Sequence, residues 1–215
     1  MASNLLPAAA TLFLLLLTLT ASDMDSDLVL DTDGDPLEVG SEYYIHFDML
    51  PEVIGRSGRS YKPGKVDCPL FAIGVPGDFN GGVPVKFKPV NKTQKQIHLS
   101  SEVYIDSGFS LDCHDDGLWR MKFDALSRGF AVIASGAPDV PRGAFTIVKI
   151  EEFEIFRSYM LGYFPDQPLI SPGSGYLSVV GDSVSPLPLL GVTLDPDEAI
   201  KVVFVKYKKD GVASI

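Results

Sequence analysis

Four acidic residues near the start of the chain, Asp31, Asp33, Asp35 and Glu42, fall at positions 1, 3, 5 and 12 of the spacing used by a helix-flanked calcium loop. Such a loop also needs glycine at position 6, where the backbone turns sharply around the ion. That position is Pro36, whose ring fixes φ and excludes the turn. The stretch DTDGD is read instead as a tight Asp-Gly hairpin turn that leads, past Pro36, into a strand at Tyr43-Tyr44-Ile45.

Other residues that could do chemistry are sparse. A nucleophilic triad needs serine, histidine and an acid brought together, and His46, His98 and His114 lie in no local signature such as G-x-S-x-G. His114 with Asp115 and Asp116 forms a polar turn and is read as solvated, so no metal and no cofactor are expected. The basic stretch GRSGRSYKPGK, with Arg56, Arg59, Lys62 and Lys65, reads as a solvated loop, with a protease-facing loop as the lesser alternative. Lys86, Lys88, Lys92 and Lys95 read by themselves as surface charges. Asn91-Lys92-Thr93 is the single N-glycosylation sequon.

These residues sit in a chain of 215 with a net charge of -10, a balance that repels nucleic acid and anionic membranes and removes both as expected partners. The run LFLLLLTLTAS from Leu12 to Ser22 is too short to span a bilayer and ends in small residues. It predicts a signal peptide over 1–22, and hence export to the extracellular space or a vacuole, with one domain over 23–215. In an oxidising compartment the two cysteines, Cys68 and Cys113, read as one disulfide, which contributes about 4 kcal/mol on the chain-entropy estimate.

The elements that must position all this are strands. EYYIHF, CPLFAIGV, VPVKFK, KQIHLS, EVYIDSG, LWRMKF, GFAVIAS, AFTIVKI, YMLGYF, GYLSVV and IKVVFVKY are short β-branched and aromatic runs cut off by turn residues. No stretch carries a convincing helical period, and 16 prolines are scattered through the chain. The fold is predicted to be all-β, a barrel or sandwich, with a weak threefold recurrence of GSEYYIHF, LWRMKF and YMLGYF. Tyr44, Phe71, Trp119, Phe123, Phe145, Leu161, Val203 and Val205 are expected to face inward.

Val29, Asp31, Asp33, Gly34, Asp35, Leu37, Tyr43 and Ile45 together resemble the N-terminal signature of the plant Kunitz-type inhibitors, the soybean trypsin inhibitor family. DCPLFAIG around Cys68, GVPVKFKPV, SSEVYIDS, Cys113, Trp119 and the closing KVVFVKY follow in the family's order. The resemblance implies a β-trefoil of twelve strands, six closing a short barrel and six forming a cap. It also pairs Cys68 with Cys113 as the first of the family's usual two disulfides. The second is absent, and Phe164 stands where one of its cysteines is often found.

The resemblance further implies a non-enzymatic protein that binds a serine endopeptidase, trypsin-like or subtilisin-like, as a monomer. Its docking element would be the loop Pro89 to Lys95, with reactive residues Asn91, Lys92, Thr93 and Gln94 and Lys92 as the anchor. Such a loop binds tightly because its scaffold has already ordered it. Two departures bear on this. The asparagine that supports the loop in potent trypsin inhibitors is replaced by Val39, and a glycan on Asn91 would stand beside the anchor. An α-amylase/subtilisin-type inhibitor using acids such as Asp115, Asp116 and Asp195, or a non-inhibitory storage or miraculin-like trefoil, are the alternatives.

Overall fold

A computed structural model describes residues 27–48, 50–57, 68–77, 82–108, 113, 116–127, 129–150, 157–165, 174–181 and 188–208. The expected signal segment, Arg59, Lys62, Lys65, His114 and Asp115 lie outside them.

Twelve strands follow in order: β1 (Tyr43–Phe47), β2 (Glu52–Ser57), β3 (Leu70–Pro76), β4 (Lys86–Pro89), β5 (Glu102–Asp106), β6 (Arg120–Asp124), β7 (Gly129–Ser135), β8 (Gly143–Lys149), β9 (Tyr159–Pro165), β10 (Gly175–Val180), β11 (Leu189–Thr193) and β12 (Val202–Lys206). Six of them form a ring of antiparallel pairs, β1 to β12, β12 to β9, β9 to β8, β8 to β5 and β5 to β4. The ring closes where Tyr43 and Val85, the residue before β4, exchange two backbone hydrogen bonds of 2.9 and 2.8 Å. The remaining strands make three hairpins, β2–β3, β6–β7 and β10–β11, and these pair with one another through β3–β7, β7–β11 and β11–β3. A six-stranded barrel capped by three mutually paired hairpins is the β-trefoil that the resemblance implies.

The strands differ from expectation in two places. KQIHLS is not a barrel strand, because its residues pair with the N-terminal segment instead, at Glu38↔Gln96 and Leu28↔His98. Glu52–Ser57 and Leu189–Thr193 are strands whose central glycines mask them in the sequence. Gly191 is there because a Cβ would lie 2.3 Å from the Phe130 carbonyl oxygen of the neighbouring strand.

The core holds Phe71, Trp119, Phe145 and Leu161 as expected. Tyr44, Val203 and Val205 are only half-buried, and Phe123 is 57% exposed, lying edge-on to Phe130. The reason is phase. YYIHF and VVFVK carry apolar residues on both faces, so alternation alone leaves open which set turns inward. Register then links the choices: Ile45 faces Phe204 and both are fully buried, while Tyr44 faces Val205 on the outer side. The inner face thus belongs to Tyr43, Ile45 and Phe47 on β1 and to Val202 and Phe204 on β12. Phe204 packs edge-on to Phe87 at 5.3 Å between ring centres and against Tyr159 at 5.4 Å. The Cys68–Cys113 disulfide is formed, with Cα atoms 5.8 Å apart, and ties the start of β3 to the segment before β6.

Replacing Phe204 by alanine should lower unfolding stability by about 3–5 kcal/mol, whereas Val205→Ala should cost less than about 1 kcal/mol. Denaturant unfolding monitored at Trp119 measures both, and equal costs would contradict this assignment of the two faces.

Candidate functional site

The loop between β4 and β5 begins at Val90, whose N–H donates to the Glu102 carbonyl at 2.9 Å and continues the β4–β5 ladder by one step. Its far end is braced by the N-terminal segment. Val39 N–H donates to the Lys95 carbonyl at 2.9 Å, Ile97 N–H to Leu37 at 2.9 Å, Val29 N–H to Ile97 at 3.0 Å and Leu99 N–H to Asp27 at 2.7 Å. Val29, Leu37 and Ile97 are fully buried in the barrel core, so the brace is held by apolar packing as well as by its ladder.

Two buried tyrosines, each the first residue of a barrel strand, pin this segment. The Tyr43 hydroxyl accepts from Glu38 N–H at 2.9 Å, and the Tyr159 hydroxyl accepts from Leu30 N–H at 2.9 Å. Burial pushes both hydroxyls to higher pKa, outweighing the lowering by the backbone donors, so both stay protonated at neutral pH. At the surface, Glu38 takes hydrogen bonds from Lys206 at 3.1 Å and from Ser41 at 3.2 Å, and the Lys206 bond holds its carboxyl below the usual value.

The acidic knot at the start of the brace is the tight hairpin turn expected: inside the bridged pair Leu30 and Pro36, Asp31 N–H donates to the Asp35 carbonyl at 2.8 Å and Gly34 N–H to the Asp31 carbonyl at 3.1 Å. Asp31 is 2% exposed, and its Oδ1 accepts from both Asp33 N–H and Asp35 N–H at 3.0 Å. This oxygen of the carboxylate therefore holds the backbone of its own turn. Gly34 supplies the left-handed φ of +92° that this loop needs, and a Cβ there would also lie 2.5 Å from the Arg157 guanidinium.

Asn91, Lys92 and Thr93 are exposed and Gln94 half-buried. They form one turn: Gln94 N–H donates to the Asn91 carbonyl at 3.2 Å, and the Asn91 Oδ1 accepts from Thr93 N–H at 3.2 Å and from Thr93 Oγ1 at 2.8 Å. The cations nearby divide in two. Lys86 pairs with Glu42 at 3.2 Å and Lys88 with Asp106 at 2.5 Å, so both are engaged by the scaffold. Lys92 and Lys95 are exposed and have no ion-pair partner among the described residues.

The support position, Val39, keeps a brace of a different kind. Its side chain is 39% exposed and points no donor at the loop, but its backbone N–H holds Lys95. Of the acids considered for an amylase contact, Asp116 and Asp195 have structural tasks. Asp116 bonds Arg120 at 2.8 Å and Arg142 at 2.5 Å, while Arg120, 5% exposed, also donates to the Val140 carbonyl at 2.6 Å. Asp195 caps the 3-10 turn Pro196–Glu198 by accepting from Asp197 N–H at 2.9 Å. Among the described residues no histidines, cysteines or acids gather as metal ligands. Of the histidines, His46 is half-buried edge-on to Tyr44, and burial pushes its pKa down.

The sequence profile of the Kunitz legume family, described as trypsin and protease inhibitor, matches residues 29–206. The chain belongs to that family. The family's described role is protease inhibition, not catalysis, and its related members include non-inhibitory proteins such as miraculin. The chain is 30% identical over 178 residues to Kunitz-type trypsin inhibitor 1 of Selenicereus costaricensis, covering 83% of this chain and 99% of that protein. Among solved structures, soybean trypsin inhibitor in complex with porcine pancreatic trypsin superposes with a TM-score of 0.66 at 22% identity, over 85% of this chain and all of that one. The water-soluble chlorophyll protein of Brassica oleracea var. Botrytis, with chlorophyll b, superposes at 0.64 and 21% identity, over 85% and 99%. At these identities the superpositions establish the fold, and the fold serves proteins with different partners.

Two substitutions test the scaffold around the loop. Tyr43→Phe keeps the ring but strips Glu38 N–H of its acceptor; it should cost about 1 kcal/mol and speed amide exchange across residues 90–95. Unchanged exchange there would separate the brace from the loop. Asp116→Asn leaves buried Arg120 without its carboxylate and should cost about 1–3 kcal/mol at neutral pH. Burial acts to raise the Asp116 pKa, but the Leu118 N–H and the two guanidiniums outweigh it and hold it below the ordinary 3.8. A lowered folded pKa stabilises at pH above that value and loses its effect as pH falls through it, so the gap between variant and wild type should close below pH 3.8.

Proposed function

We propose that this protein is a secreted inhibitor of serine endopeptidases that docks through the loop 89–95, with Lys92 filling the specificity pocket. The observation that carries this reading is an exposed Lys92, with no ion-pair partner among the described residues, at the tip of a loop whose two ends are held by backbone hydrogen bonds, Val90 to Glu102 and Val39 to Lys95. A lysine so placed meets the carboxylate at the floor of a trypsin-like pocket, and a loop with fixed ends loses little entropy on binding. The trypsin bound by the soybean relative supports the same target class.

The turn at Asn91 to Gln94 sets the strength of inhibition. A substrate-like backbone is extended through the cleft, so docking must open the Gln94-to-Asn91 hydrogen bond and release Thr93 from the Asn91 side chain. Each such bond is worth about 1 kcal/mol, and binding is weaker by their sum than for a loop already extended. Export follows from the apolar run at residues 12–22 and suits a disulfide-bonded domain.

Titration of the unglycosylated protein against trypsin, chymotrypsin, subtilisin and α-amylase tests the reading. Trypsin inhibition is expected, with Lys92→Ala weakening it by about 100-fold or more, the scale of a central anchor residue. No inhibition of the three proteases would remove the proposal, and inhibition that ignores Lys92→Ala would move the contact elsewhere on the trefoil.

A further inference from the structure

We propose that Asn91 carries an N-linked oligosaccharide and that this glycan locks the loop against proteases, so that the chain exists as a free inhibitor or as a glycosylated, silent form. The inference rests on the docking role of the 89–95 loop and on export through the secretory pathway.

Asn91-Lys92-Thr93 meets the acceptor requirement of asparagine followed two residues later by threonine, and all three residues are exposed. The side chains are also arranged for the reaction. Thr93 Oγ1 donates to Asn91 Oδ1 at 2.8 Å and Thr93 N–H donates to the same oxygen at 3.2 Å. Two donors on one amide oxygen draw charge from the carboxamide and make a proton on Nδ2 easier to lose. Both bonds fall on the oxygen, leaving Nδ2 free for the incoming sugar. In the transfer, Nδ2 attacks the anomeric carbon of an oligosaccharide carried on a polyprenyl diphosphate. The new Nδ2–C1 bond replaces the C1–O bond, the diphosphate departs with the electron pair, and the Nδ2 proton passes to the transferase's base.

The lock follows from adjacency. Consecutive Cα atoms are about 3.8 Å apart, whereas a protease covers about 800 Å² of its inhibitor's surface. An oligosaccharide on the residue before Lys92 therefore falls inside the footprint of any enzyme that takes Lys92 as its anchor. The two fates also favour different backbones. The turn that presents Nδ2 to a transferase is the one that docking has to open.

The full chain made in a eukaryotic secretory host, with and without an inhibitor of lipid-linked donor synthesis, supplies both forms of one sequence. Intact mass should show an oligosaccharide increment that maps to Asn91 and is absent from Asn91→Gln. The glycosylated form should bind trypsin about 100-fold or more weakly than the unglycosylated form, as expected for a steric clash at the centre of an interface. Absence of the increment overturns the modification. Equal inhibition by the two forms overturns the lock alone. An increment at Asn91 with no inhibition by either form overturns the docking role of the loop, and the lock with it.

Discussion

Tyr43 is the residue on which the rest of this structure depends. Its backbone closes the barrel by exchanging two hydrogen bonds with Val85, its ring is buried beside Phe87, and its hydroxyl holds Glu38 N–H. Tyr159 repeats the last of these tasks from β9, holding Leu30 N–H. Between the two tyrosines runs a chain of rings, Tyr43 to Phe87 to Phe204 to Tyr159, with centres 5.3 to 6.3 Å apart. The N-terminal segment lies against this chain with Val29 and Leu37 buried, and both of its pinned N–H groups end on phenolic oxygens of the core. A segment with no strand of its own is thereby made as fixed as the barrel, because its polar backbone has partners where water is excluded.

That fixity is passed to the loop unevenly. Entry at Val90 and exit at Lys95 are set by ladders, one from β5 and one from the N-terminal segment. The tip is set by Asn91, whose carbonyl and side-chain oxygen gather Gln94 and Thr93 into a turn. Charge is distributed on the same plan. Lys86 and Lys88, on the strand, are engaged by Glu42 and Asp106, while Lys92 at the tip and Lys95 at the exit face solvent. The two lysines of β4 that lead into the loop are thus engaged, and the two within the loop are exposed.

Most of the architecture was legible from local pattern. The short β-branched runs and the signature from Val29 to Ile45 lead to the trefoil and to the Cys68–Cys113 pair. What misled were places where local pattern is symmetric or absent. YYIHF is apolar on both sides, so Tyr44 and Tyr43 compete equally until register with β12 selects Tyr43. Phe123 has the composition of a core residue yet lies at a hairpin edge against Phe130. KQIHLS alternates like a strand and is recruited by the N-terminal segment across more than 50 positions of sequence. DTDGD reads as a hairpin turn, but nothing local shows that its first carboxylate, Asp31, is buried, where it serves two N–H groups that would otherwise lack partners.

By itself the sequence determined the class of the fold, the family, the disulfide and the position of the candidate loop, because each is written in short-range chemistry: alternation, turn residues, cysteine count and a contiguous signature. Only the tertiary structure decided that Lys86 and Lys88 are ion-paired, which face of each strand is inside, and that the Val39 backbone bonds Lys95. Those are matters of pairing between residues distant in the chain. A hydrogen bond from Val39 N–H leaves no trace in the identity of residue 39, since every residue except proline can donate it.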